Sequence, residues 1–380
     1  GIGLCRTDAL FYEKERLALL REMLLVDNKE RIHTVIAALE DLHKSDIAEI
    51  FRIFPDKEVC ISLLDAPLRS FFPVSDEEIY SLANEFKLDQ EDCLAQINRM
   101  GPIKQPSSDV PGVGFRGSRV LVVCREITAL QTRAIIRAAA EVCTELELKT
   151  LSSGSSSPNT KSKSKSTSLP ARVKPSILIP MVVSEREVDI ISSAIRAEAN
   201  KLFEGCGLPP VQYRVGAAIE NPRACTRAAS ITAEPGVVFT SFGMDRLTNC
   251  CLGFGPEDKS LYMPTYLDEH ILTADPFISV DTRGSGKLLE VAIKECRSSN
   301  KDIITGVYGC HAYDTSSVQF FNALGLDYVC CLPDHVPVAK LAAAQAHILA
   351  IARKARKEQE EIRLRMMSAY PGPAFYIPPL

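Results

Sequence analysis

Short β-branched runs recur along this chain, and each is followed by a longer stretch with helical apolar spacing. Eight runs qualify: 1–5, 58–64, 113–122, 175–183, 211–219, 236–242, 302–308 and 326–332. The intervening stretches place apolar side chains at helical spacing, as in Leu130, Ile135, Ala138 and Val142, or Leu288, Val291 and Ala292. A crossover helix between successive strands leaves them parallel. Eight such units in 380 residues predict an α/β fold, a (β/α)8 TIM barrel, in preference to an open doubly wound sheet. A single barrel domain is expected over 1–380.

Three stretches depart from the repeat. Residues 12–55 are long for one crossover and predict extra helices after the first strand: Glu13–Leu25, Lys29–His43 and Ser45–Phe54, the last capped by Ser45 or Asp46. Residues 152–168 are almost entirely Ser, Lys, Thr, Gly, Pro and Asn. Nothing there can bury surface, so a disordered insertion is expected, either a tolerated loop or a basic docking or phosphorylation segment. A last helix should begin near Val336 and pack Leu341, Ala344, Ile348 and Ile351 on the barrel. From Arg353 onward it becomes charged, so 353–380 reads as a solvated or partner-facing helix end and tail.

Composition excludes several classes. A net charge of −4 gives no reason to expect nucleic acid or an anionic membrane as partner. No run approaches the ~18 consecutive apolar residues of a membrane span. The 13 cysteines are scattered, without a CxxC pair, which predicts reduced thiols in intracellular, reducing surroundings. Adjacent Cys310 and His311 chelate poorly, so no structural zinc is expected. Gly112-Val113-Gly114 and Gly284-Ser285-Gly286 match neither a P-loop nor a dinucleotide fingerprint, which argues against an ATP site. The chain opens Gly1-Ile2-Gly3 without Met and reads as a piece of a longer polypeptide.

In a barrel of this kind the C-terminal ends of the strands share one mouth. Those ends carry Arg6; Ser62 and Asp65; Arg116; Glu220; Ser241, Asp245 and Arg246; Tyr308 and Cys310. Converging arginines suit an anionic substrate, because guanidinium grips carboxylate or phosphate in a two-pronged way. Glu220, after an apolar strand, must be paired or ligate a metal.

At these strand ends the sequence resembles the C-terminal phosphoenolpyruvate/pyruvate-binding barrel of the pyruvate phosphate dikinases, within the wider phosphoenolpyruvate-utilising enzymes. The matching segments are Gly1-Ile-Gly-Leu-Cys-Arg-Thr7, Leu63-Leu-Asp-Ala-Pro-Leu68, Gly114-Phe-Arg-Gly-Ser-Arg119, Ile219-Glu-Asn-Pro-Arg-Ala224, Ser241-Phe-Gly243, Gly325-Leu-Asp-Tyr-Val329 and Val336-Pro-Val-Ala-Lys-Leu341. They run in family order from end to end. The resemblance implies a barrel that exchanges a phosphoryl group between a phosphohistidine domain of the parent chain and the pyruvate/phosphoenolpyruvate pair. It further implies Mg²⁺ at the enolate, a cysteine as acid/base, and pairing of barrels into a homodimer.

Carried over residue by residue, the resemblance makes Arg6 and Arg116 phosphate- and substrate-binding, Asp65 an acidic position of the motif, and Glu220 one of two metal-binding carboxylates. The other positions depart. Ser62 stands in place of an arginine, Asp245 in place of Asn, Arg246 in place of the second metal-binding Asp, Tyr308 in place of the acid/base cysteine, and Cys310 in place of Glu. A guanidinium where a metal ligand belongs repels the cation. Two unit charges about 4 Å apart interact by about 4 kcal/mol at an effective dielectric of ~20, and arginine cannot shed its proton. Tyr308, with a reference pKa near 10, is a poorer proton carrier than a thiol, and Cys310 two residues on is its only nearby substitute. Mg²⁺ is therefore expected not to bind, and Arg246 is expected to form a salt bridge with Glu220. Two readings compete: an enzyme with impaired or altered activity, and an inactive barrel serving as a structural, dimerisation or interaction scaffold. In the first, neighbouring residues compensate for the substitutions, with Asp245 reaching the metal while Arg246 points away.

Overall fold

The computed structural model describes residues 1–101, 114–153, 173–205, 208–257 and 259–369. Seven strands lie in one parallel sheet in chain order: β1 (Ile2–Arg6), β2 (Glu58–Ser62), β3 (Lys174–Ile179), β4 (Arg214–Ile219), β5 (Val237–Gly243), β6 (Ile304–Tyr308) and β7 (Tyr328–Cys330). β7 returns to β1: a Cβ on Gly3 would lie 2.8 Å from the Cβ of Cys330. The result is a nearly closed barrel of the TIM type, wrapped by helices. Alternate residues do opposite jobs. Ile61, Ile177, Val215 and Ala217 face the surrounding helices, while Cys60, Leu178, Ala218 and Phe239 form a separate inner cluster. Gly216 and Gly306 leave room in that interior: a Cβ on either would collide with the rings of Phe239 or Tyr328.

The predicted strand at 113–122 is absent. Residue 113 lies outside the described residues, β2 pairs directly with β3, and Ser118–Val123 is a short helix. A brief apolar run does not by itself distinguish strand from helix. Here Val120 and Leu121 are buried while Val123 is 68% exposed, which is a helical pattern. The chain reaches this helix through Gly117, at φ +58°, and Ser118 is fixed at both ends: its N–H donates to Pro180 O (3.0 Å) and its Oγ to Met181 O (2.9 Å).

The first crossover does hold extra helices, α1 (Lys14–Leu25) and α2 (Lys29–Ile53). α2 runs through the predicted break at His43–Ser45, because nothing in Lys44-Ser45-Asp46 interrupts a helix. Asp46 caps nothing and instead pairs with Arg16. Of the remaining helices, α3 is Ser118–Val123, α4 is Arg125–Ser153, α5 is Met244–Leu252 and α6 is Val336–Ala369. The 152–168 insertion lies outside the described residues beyond Ser153. α6 begins where expected, but its packing differs. Ala339, Ala342 and Ala346 are buried, whereas Leu341, Ala344, Ile348 and Ile351 are exposed. Small side chains let the helix lie close to its neighbours and turn the larger ones outward. By length and composition alone the helix Pro333–Met366 contains an 18-residue window apolar enough to cross a membrane, and 17% of that window is buried in the fold. None of the 12 described cysteines is in a disulfide.

Candidate active site

The strand ends deliver their side chains to one mouth, where two sub-sites differ in solvation. The inner one centres on Arg246, in the first turn of α5. Its guanidinium bridges two carboxylates: Nη1 donates to Glu220 Oε1 at 2.9 Å, and Nη2 donates to Asp65 Oδ2. The ion pair expected between Arg246 and Glu220 is thus present, and Asp65 joins it. Glu220 is fully buried at the end of β4, and its second oxygen accepts the Met181 N–H at 2.9 Å. Arg116 completes the group, donating from Nε to the Asp65 carbonyl (2.9 Å) and lying 3.4 Å from Oδ2 through Nη2.

Local structure forces this convergence. Asp8, two residues after Arg6, accepts the backbone N–H groups of both Asp65 and Ala66 at 2.8 Å and holds the loop after β2 in place. Gln131 of α4 accepts the Leu64 N–H (2.9 Å) and donates to Thr7 (2.8 Å), tying that loop to β1. Gly243 ends β5 where any Cβ would stand 2.7 Å from both Glu220 Oε1 and the Tyr308 hydroxyl. Ser62 is buried and only donates to the Leu63 carbonyl.

Burial raises the Glu220 pKa, and the Arg246 charge opposes that rise. Arg246 is held protonated: burial pulls its pKa down, but Glu220 and Asp65 drive it well up. Arg116 is lowered by burial, with Arg246 adding to the effect. Tyr308 is buried and hydrogen-bonded to Glu220, and burial with that carboxylate pushes its phenol far above the ordinary range. A phenol so placed does not deliver a proton near neutrality.

The outer sub-site is wetter. Arg6 is exposed at the end of β1, where its backbone pairs with β2, and its guanidinium makes no hydrogen bond or ion pair among the described residues. Asp245 turns away from Glu220. Its Oδ1 accepts the Cys310 N–H at 2.9 Å and lies 3.5 Å from His311 Nδ1, while the other ring nitrogen of His311 meets Pro276 O at 2.7 Å. So Arg246, not Asp245, points inward, the reverse of the arrangement that would keep a metal. Cys310 does not continue the strand: Gly309, at φ +118°, turns the chain, and Cys310, itself exposed, opens a 3-10 turn. Burial and Asp245 push its thiol pKa up, which leaves it a weak substitute acid/base.

A divalent ion does not fit this donor set. Both inner carboxylates already face a guanidinium. Among the described residues no group of three or more His, Cys, Asp and Glu side chains is arranged to hold a metal. Sequence reasoning missed Asp8 and Gln131, and weighed His311 only as a zinc ligand. Asp8 was signalled by its place beside Arg6-Thr7; the other two come from contacts distant in sequence.

Residues 1–348 match the model of the PEP-utilising enzyme, PEP-binding domain. The chain belongs to that family. It is 34% identical over 348 residues to a pyruvate, phosphate dikinase of Rhizobium meliloti (strain 1021), covering 92% of this chain and 35% of that protein. It is equally 34% identical to pyruvate, phosphate dikinase 2 of Zea mays, covering 91% of this chain and 36% of that one. The chain therefore spans about a third of the length of these curated relatives. A HpcH/Hpal aldolase/citrate lyase family protein from Burkholderia cenocepacia J2315 aligns over 83% of this chain and 90% of its own at a TM-score of 0.32 and 13% identity.

Proposed function

We propose that this barrel has lost Mg²⁺-dependent phosphoryl exchange and keeps a mouth that meets small dianions through guanidinium groups. The observation that carries this reading is Arg246 bridging Glu220 and Asp65. A fixed positive charge occupies the space between the two carboxylates, and the phenol at the acid/base position is buried and unable to move a proton readily. The chemistry needs cationic clamps and a Lewis acid at the enolate. Arg6 and Arg116 preserve part of the clamp, and Arg246 removes the Lewis acid. A phosphohistidine domain presented by the parent chain would find no acceptor activated for transfer.

Titration calorimetry of the full chain with oxalate, a mimic of the enolate, tests this. Oxalate should bind weakly and equally with or without Mg²⁺. Arg6→Ala should weaken it about tenfold, the scale of one charged hydrogen-bonded contact of about 1.4 kcal/mol. Tight oxalate binding that requires Mg²⁺ would overturn the reading.

A further inference from the structure

The family match stops at residue 348, but α6 runs on to Ala369. From His347 onward every described side chain of the helix is exposed. At 1.5 Å per residue this stretch spans about 35 Å without burying a side chain. A helix of that length gains most of its stability from packing an amphipathic face, so its bare surface calls for a partner.

The exposed surface is not uniform. Steps of four and three residues from Leu341 pass through Ile348, Ala352, Ala355, Ile362 and Met366, with Gln345 and Gln359 at the two remaining places. Nine of the thirteen residues from Arg353 to Arg365 are charged, yet none falls on this line. An uncharged seam repeating every 3.5 residues is what two helices need to wrap around each other with a left-handed twist. Ala352 and Ala355 permit close approach. Gln345 and Gln359 occupy equivalent seam positions, where a polar residue selects register.

We infer that α6 pairs in parallel with the same helix of a second copy of this chain. Charge selects this occupant and this direction. Arg356 and Arg363 flank the seam on one side, and Glu358 and Arg365 on the other. In a parallel pair, Glu358 of each copy faces Arg363 of the other. An antiparallel pair sets the edge carrying Arg356 and Arg363 against the same edge of the other helix, with no acidic residue between them. A bilayer is the weaker alternative despite the hydropathy of the first half. The seam keeps its spacing through the charged half, where lipid would impose no such periodicity. This pairing is independent of the reading of the mouth.

Sedimentation equilibrium of the full chain should show a concentration-dependent monomer–dimer equilibrium. Ile348→Glu with Ile362→Glu should raise the dimer dissociation constant at least tenfold with unchanged far-ultraviolet circular dichroism. Glu358→Arg should weaken the dimer several-fold, and adding Arg363→Glu should restore it. Under oxidation, Ala355→Cys should give a disulfide joining residue 355 of two copies, found by peptide mass spectrometry, while Lys357→Cys should not. A dimer indifferent to the double glutamate variant would place pairing on the barrel and overturn the inference. So would a monomer at all concentrations, a charge swap that fails to restore, or co-sedimentation of the chain with phosphatidylcholine vesicles in place of self-association.

Discussion

Two clusters of arginine and carboxylate occupy this molecule, and they do different work. In the mouth, Arg246 and Arg116 meet Asp65 and Glu220 with side chains between 0% and 12% exposed. Between α2 and α4, Arg133 and Arg137 converge on Glu40 at 2.6 and 2.7 Å, with the arginines 24% and 35% exposed. The chemistry is nearly the same, but the solvent is not. Water screens and substitutes for a lost partner in the second cluster. In the first, each charge depends on the others, because nothing else solvates it.

The sharpest way to break the comparison is to remove the central guanidinium. Arg246→Met should cost about 3–5 kcal/mol in denaturant unfolding, since Glu220 is left buried without its counter-charge. A cost below about 1 kcal/mol would mean the two clusters are solvated alike.

The α2 side carries its own buried titratable group, one turn beyond Glu40. His43 is fully buried, neither ring nitrogen has a hydrogen-bond partner among the described residues, and its pKa falls to about 4, chiefly by burial and then by the Arg16 charge. The folded value lies below the ordinary 6.5. The unfolded chain therefore takes up a proton first as pH falls. The stability contributed by neutral His43 is fully present above about pH 6.5 and is lost as pH falls toward 4. The loss should reach about 3 kcal/mol. Comparing unfolding at pH 7 and pH 4.5 checks this, and His43→Leu should flatten that component.

The smallest effect belongs to the second cluster, where Glu40 is buried but its arginines reach water and each covers for loss of the other. Arg133→Ala or Arg137→Ala should each cost about 1 kcal/mol or less, with the loss diminishing further in 0.5 M salt. A cost equal to that of Arg246→Met would erase the distinction.

Much of the mouth was legible because the barrel topology fixes where strand ends go. Reading Arg6, Asp65, Glu220 and Arg246 off those ends required only the strand–helix alternation and the opposite charges of Glu220 and Arg246, whereas Arg116, read off a strand that is absent, reaches the mouth from the loop before α3. The missing strand at 113–122 was not legible: four consecutive apolar residues suit either a strand or a buried helix turn, and Gly117 with the loop from Pro180 decided between them. Nor did the sequence reveal that Asp65 would share Arg246, since the two are joined only by folding.

The α6 helix shows the same division from the other side. Its start and its change to a charged half were plain from the sequence, yet the face laid on the barrel is the alanine one, because close approach of two elements favours the smallest side chains there. Local pattern set the order of elements, the parallel sense of the strands and the charges gathered at one rim. Which guanidinium entered the buried space, which acid turned outward and which helical face stayed bare were decided by packing, because burial cost and steric room depend on neighbours that sequence spacing does not bring together.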